Sequence, residues 1–180
     1  MHEGTRFRRA AGQFSTGVTV LSTVVDGEPH GMTLNAFASV SIEPLLVLAV
    51  VGNTSRTYEK VRASGVFAVT VLASDQVEIA RWFAHPGRPS GALSFMDVAW
   101  RRGPHSGSPI LTGGLSYFDC AVERADRAGD HTVLIGRVHA FDVLSDRAPL
   151  LFVRSHFADL PDRATIAAPW REAAAATRPD

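Results

Sequence analysis

From Gly31 to Ser41 the chain reads Gly-Met-Thr-Leu-Asn-Ala-Phe-Ala-Ser-Val-Ser, alternating apolar residues with small neutral polar ones and carrying no charge. Taken as one strand, this segment places Thr33, Asn35, Ser39 and Ser41 on a single face, because alternate residues of an extended chain point the same way. Two readings fit such a face: Thr and Ser pairs that stabilise a sheet, or a wall of hydrogen-bonding groups for a polar ligand.

The pattern on either side predicts further elements. Phe7 to Phe14 suits a short helix, and Val18 to Val25 is a β-prone run ending at the turn signal Asp26-Gly27. Pro44 marks a turn, after which the continuous apolar run Leu45 to Val51 predicts a strand buried on both faces. Asn53 to Arg62 reads as a capped helix closed by Gly65. Val66 to Leu72 predicts another strand, and Asp75 with Glu78 at capping-box spacing opens a helix running to Ala84. Pro86, Gly87, Pro89 and Gly91 then break the pattern, so His85 to Ser94 is either a lid or a plain connection. Two long strands, Leu115 to Arg124 and Thr132 to Leu144, meet at a turn around Ala128-Gly129-Asp130, and a last strand runs from Leu150 to Arg154.

About seven strands with only two or three helices exclude a doubly wound parallel sheet, in which helices alternate with strands. The fold class is mainly β: an antiparallel barrel with helical inserts, whose closure removes exposed edges and leaves a rim for ligand-binding loops. One domain spans 1–160, followed by an Ala-rich tail over 161–180 in which Trp170 to Ala173 is helical or frayed.

Composition narrows the function classes. The chain has 180 residues, 46% of them hydrophobic, with 18 basic residues balancing 18 acidic ones. That balance gives no electrostatic case for nucleic acid or an anionic membrane surface and is compatible with an oligomer. The single cysteine, Cys120, excludes an intrachain disulfide and a Cys-built zinc site, and its alternating strand context predicts a core position. No apolar segment follows the basic residues near Met1, and Leu45 to Val51 is too short to span a bilayer, so a cytoplasmic location is expected.

Candidate chemistry lies in two places. Asn53-Thr54-Ser55-Arg56-Thr57 follows a strand and opens a helix, so its N–H groups, hydroxyls and the Arg56 guanidinium can address a phosphate; a plain N-cap with a solvated arginine fits equally. Joined to the polar strand upstream, a phosphate site beside a hydrogen-bonding wall outlines a flavin nucleotide. Gly129-Asp130-His131-Thr132 presents a histidine beside a carboxylate at a turn, either simply solvated or set at the barrel mouth near a bound ring. The seven histidines, at positions 2, 30, 85, 105, 131, 139 and 156, show no metal spacing, and no metal is expected. Phosphate-loop, dinucleotide-fingerprint and Gly-x-Ser-x-Gly motifs are absent.

In order along the chain, Phe14 to Val20, Gly31 to Ser41, Pro44, Ser55-Arg56-Thr57, Phe67-Ala68-Val69 and Gly129-Asp130-His131-Thr132 resemble the short-chain flavin reductases, the reductase components of two-component flavin-dependent monooxygenases. The resemblance covers about residues 6 to 157. It implies an FMN-binding split β-barrel, a homodimer, and reduction of FAD or FMN by NADH, or alternatively NADPH, with reduced flavin passing by diffusion to a partner monooxygenase. By the same analogy Thr33, Leu34, Asn35 and Ala36 meet the flavin ring, Ser39, Val40 and Ser41 lie along its ribityl and phosphate portion, Ser55, Arg56 and Thr57 complete the phosphate contacts, and Phe83 approaches the flavin. His131 takes the catalytic place beside the nicotinamide, and Phe152 and Arg154 help to hold the dinucleotide. The absence of an evident extra basic cluster favours NADH. Two alternatives stay open: a non-catalytic flavin-binding protein, and a split-barrel flavin or deazaflavin oxidoreductase with its own small-molecule substrate.

Overall fold

The computed structural model describes residues 2–158 and Leu160; the tail expected over 161–180 lies outside the described residues. The elements in chain order are α1 (Glu3–Ala11), β1 (Thr16–Gly17), β2 (Thr19–Val25), β3 (Glu28–Leu34), β4 (Phe37–Ile42), β5 (Leu45–Gly52), α2 (Arg56–Ser64) and β6 (Val66–Val71). After a 3₁₀ turn at Ser74–Gln76 come α3 (Val77–Ala84), a second 3₁₀ segment at Gly91–Phe95, β7 (Trp100–Arg102), β8 (Pro109–Leu111), β9 (Ser116–Ala128), β10 (His131–Val143), β11 (Leu151–Val153) and β12 (His156–Ala158).

Seven strands form one antiparallel sheet in the order β3-β2-β6-β9-β10-β5-β4, which bears out the mainly β architecture. Its two edge strands, β3 and β4, are consecutive in sequence and joined only by Asn35 and Ala36. Three chain steps span about 10 Å at most, so the sheet curls until its edges meet at this corner. A small sheet, β1-β11-β12, lies beside the barrel, and β7-β8 forms a separate hairpin.

The segment from Gly31 to Ser41 is therefore two strands, not one. The chain turns at Asn35-Ala36 to pass from one sheet edge to the other, and a register shift between Ser39 and Ser41 leaves Val40 as an extra residue. A corner and a bulge both reset the alternation, so the four polar side chains do not share a face. The run in β5 also differs from expectation. Val47, Ala49 and Val51 are buried while Leu46, Leu48 and Val50 are only half-buried, because the first three face the barrel core and the alternate residues face away from it.

Local chemistry sets the other boundaries. Asp26 and Gly27 both adopt left-handed φ, 52° and 81°, the two-residue turn that matches strand twist in a hairpin. Ser55 caps α2 by accepting from the Tyr58 N–H, and Gly65, at φ 71°, closes it. α1 starts at Glu3, before the expected Phe7, because the His2 ring accepts from the Gly4 N–H. Asp75 does not cap α3: it pairs with Arg147, and Gln76 instead accepts from the Ala73 N–H at 2.9 Å. Three core clusters result, one inside the barrel around Leu21, Phe67, Val69, Cys120 and Leu134, one beneath α3 around Val18, Leu72, Phe83, Phe95 and Leu150, and a small one of Ala68, Ile110 and Tyr117. Cys120 is core as expected, and burial pushes its thiol pKa up to about 12. Among the described residues no helix is long and apolar enough to cross a membrane.

Candidate active site

The corner where the sheet edges meet is also the floor of a cleft of about 530 Å³. Asn35 and Ala36 form that floor, with Phe7 of α1, Phe37, Phe152 and Arg154 around it. The Asn35 amide donates to Thr16 Oγ1 at 3.2 Å, which ties β1 to the corner and fixes how the amide faces the cleft. Four of these six residues, Phe7, Ala36, Phe37 and Phe152, are apolar or aromatic, so the compartment suits a planar ring with one polar edge.

The other residues expected at a flavin ring are placed differently. Thr33 directs its hydroxyl to the Ala80 carbonyl at 2.7 Å, docking α3 on β3, and Leu34 belongs to the barrel core. Phe83 is 1% exposed and packs on Phe95 at 4.9 Å between ring centroids; both rings lie under Gly31, so Phe83 supports β3 from the core and does not line the cleft. Ser39 and Ser41 line a separate shallow groove with Ile42, Leu45, Phe118 and Phe141, and Val40 points to solvent. Phe83's helical, apolar context contained a core signal, whereas the fate of Ser39 to Ser41 depended on a bulge that no sequence motif marks.

The start of α2 lies against β3. Thr57 is buried and donates to the Gly31 carbonyl at 3.3 Å, and the Ser55 hydroxyl is occupied by its cap and by Met32 Sδ at 3.3 Å. What the helix start offers an anion is thus its first backbone N–H groups and the Arg56 charge, not the hydroxyls. Arg56 reaches over the loop 85–90, donating to Ser90 Oγ at 3.1 Å and to the carbonyls of Pro86 at 3.0 Å and Arg88 at 3.4 Å. Arg88 returns from that loop to donate to the Gly31 carbonyl. Burial, and then the nearby Arg56, lower the Arg88 pKa; burial, then Lys60, with a smaller part from Arg56, lower that of His30, against an opposing pull from Glu28. Positive charge therefore accumulates at this helix start, as a phosphate site requires. Residues 85–90 form a loop strapped onto this cluster, followed by the 3₁₀ segment, and Arg88 is a cation the sequence reading did not single out.

His131 begins β10, opposite Gly52 of β5, and so lies one residue from the loop that leads into α2. Its Nδ1 is 2.8 Å from Asp130 Oδ1, and that hydrogen bond, with the charge of His131 and a smaller contribution from Arg8, holds the Asp130 carboxyl below its ordinary pKa. Asn53 clamps the turn. Its backbone N–H donates to the Asp130 carbonyl at 3.0 Å, its amide donates to the Gly129 carbonyl at 3.0 Å, and its Oδ1 accepts from Thr132 Oγ1 at 2.7 Å. The residue read as part of an anion site is in fact the joint between that site and the histidine turn. Arg8, the smallest of the contributors to the Asp130 carboxyl, also lines the cleft at Asn35-Ala36.

Comparison with known proteins agrees with this geometry. Residues 11–161 match the model of the flavin reductase like domain. The chain is 40% identical over 167 residues to the reductase subunit HsaB of a flavin-dependent monooxygenase from Rhodococcus jostii, covering 93% of this chain and 83% of that protein. Among solved structures it superposes with a TM-score of 0.85 and 37% identity on BorF, the flavin reductase component of a bacterial two-component tryptophan halogenase, covering 89% of this chain and 100% of that one. It also superposes with a TM-score of 0.84 and 36% identity on a Streptomyces globisporus NADH:FAD oxidoreductase in complex with NAD and FAD fragments, covering 90% and 95%. An aromatic cleft at the barrel corner, a cationic helix start and a clamped histidine turn thus stand on a fold and sequence shared along almost the whole chain, and the chain belongs to the flavin reductase family.

Proposed function

We propose that this protein is an NADH-dependent reductase of FAD or FMN that supplies reduced flavin to a partner monooxygenase. The observation that supports this reading is a ring-sized cleft at the barrel corner together with a cationic helix start and a histidine turn, the last two joined by Asn53. The residues fit a flavin nucleotide: the cleft is lined mainly by apolar and aromatic groups, and Arg56, Arg88 and Lys60 gather charge with Glu28 as the opposing carboxylate acting on His30. When bound, the flavin supplies the hydride-accepting chemistry, and the protein's work is binding and alignment.

In that mechanism Ala36 and Phe152 bound a compartment that excludes water from the reacting rings, and the Asn35 amide orients the polar edge. The α2 start and Arg56 hold the phosphate end. Asp130, whose ionised form is favoured, fixes the His131 ring through Nδ1 and leaves Nε2 to meet the nicotinamide substrate. Aligning two rings within contact distance is the main source of rate in such a transfer.

The protein works as a homodimer in this reading. Ile42 is 88% exposed and Phe141 58%, on the two strands that flank β5, and both line one groove with Leu45, an apolar surface suited to a second copy of the chain.

The test is to follow loss of nicotinamide absorbance with purified protein and NADH or NADPH, with and without FMN, FAD or riboflavin. Flavin-dependent oxidation is expected. No oxidation with any flavin would refute the reductase reading and leave a flavin carrier.

A further inference from the structure

The ring-sized cleft does not end at Arg154. It continues into a second compartment of about 560 Å³ lined by Thr5, Arg8, Arg9, Gln13 and Arg154, with Arg8 and Arg154 belonging to both. No carboxylate lines either compartment. Among the described residues Arg8, Arg9 and Arg154 take part in no ion pair, although the chain has as many acidic as basic residues. Three guanidiniums at one end of an aromatic cleft form a site for a molecule with a ring at one end and phosphate at the other.

The cradle is built, not incidental. Arg154 is held by its Nε, which donates to Gln13 Oε1 at 3.0 Å, and by its backbone N–H, which donates to the Gly12 carbonyl at 3.0 Å, so the end of α1 docks on the β11–β12 turn. That turn is made by Arg154 and Ser155, both at left-handed φ, 49° and 67°, a conformation non-glycine residues adopt only when their surroundings impose it. A hairpin turn of this kind favours Asn-Gly; here the positions carry an arginine and a serine that both face the cleft. Arg8 and Arg9 occupy the last turn of α1, where the helix dipole favours cations.

We infer that Arg8, Arg9 and Arg154 bind the phosphate groups of the reduced nicotinamide dinucleotide while its nicotinamide end enters the cleft toward Asn35-Ala36. The inference rests on the reductase reading and adds α1 to the substrate site. The flavin phosphate is assigned elsewhere, to the α2 start, which leaves this cradle for the second substrate.

The experiment compares wild type with the double variant Arg8→Ala/Arg9→Ala. α1 has no buried residue, so the variant keeps its core. KM is measured at saturating flavin for NADH, NADPH and the phosphate-free donor 1,4-dihydronicotinamide riboside. The KM for NADH is expected to rise about tenfold or more, with the riboside KM moving less than about twofold, since each lost guanidinium removes charge-assisted contacts only where phosphate is present. Equal increases for NADH and NADPH identify the pyrophosphate as the bound group, and a larger increase for NADPH adds its 2′-phosphate; either supports the cradle. A riboside KM that rises in step with that of NADH, an unchanged NADH KM, or a KM that rises for FMN but not for riboflavin would overturn it. Calorimetric titration with ADP-ribose separates this inference from the reductase reading: binding by wild type and its loss in the variant supports the cradle even in the absence of turnover, and no binding by wild type refutes it.

Discussion

Replacing Asn53 by alanine tests whether the clamp on the histidine turn matters for function. The substitution removes two side-chain hydrogen bonds, the 3.0 Å donation to Gly129 and the 2.7 Å bond from Thr132, and it strands the hydroxyl of a residue that is only 2% exposed. At about 0.5–1.5 kcal/mol net for each neutral bond, the turn loses about 1–3 kcal/mol of ordering. The backbone bond from Asn53 to Asp130 survives, so about 1–2 kcal/mol of that loss reaches the dinucleotide site. The KM for NADH then rises about 5- to 30-fold. Initial rates at saturating flavin give that KM, and fluorescence titration gives flavin affinity. Flavin affinity is expected to stay within about twofold, because the α2 cap and Arg56 are untouched. Asn53→Asp keeps the acceptor for Thr132 and removes the donor to Gly129, so it falls between wild type and alanine. A KM for NADH that moves less than twofold, or that moves together with flavin affinity, would refute the clamp as a positioning device.

Four further outcomes are expected. Arg56→Ala weakens FMN and FAD binding by about 1–3 kcal/mol with little effect on riboflavin and frees the loop 85–90 to proteolysis; equal FMN affinity in a titration counts against the phosphate assignment. His30 has its pKa lowered by burial and by Lys60, so its contribution to stability is complete above the unfolded value of about 6.5 and is lost as pH falls from there through the lower folded value; phosphate bound beside Arg56 raises the His30 pKa, which histidine NMR with and without FMN reads directly. Gly136→Ala places a Cβ 2.4 Å from Phe67 Cζ in the barrel core and costs about 1–3 kcal/mol, seen as a lower Tm; an unchanged Tm would show that the ring moves freely. Ile42→Asp is expected to convert the proposed dimer to a monomer in light scattering, and a wild type that is already monomeric at working concentration removes the basis for that proposal.

The sequence by itself determined most elements of the barrel and the identity of its chemistry-bearing segments. Turn chemistry at Asp26-Gly27, the Ser55 cap, the Gly65 stop and the long alternating runs of β9 and β10 are local signals, and local sterics and hydrogen bonding enforce them. The separate marks of a cationic helix start and of a histidine turn were equally legible, because each depends on a few neighbouring residues. Cys120 in the core followed from alternation alone.

Only the tertiary structure decided how those pieces meet. Gly31 to Ser41 has the composition of one strand, but joining the two edges of a curled sheet requires a corner, and Asn35-Ala36 supplies it. The bulge at Val40 then resets which side chains face which way. Pairing between β5 and β10 brings Asn53 to Gly129 and Thr132, more than seventy residues away, and turns an apparent anion ligand into a clamp. The docking of α1 on the β11–β12 turn gathers Arg8, Arg9 and Arg154 into the basic cluster that was not evident from the order of residues. Contacts of this kind depend on chain closure over long separations, so they are a property of the folded barrel and not of any segment within it.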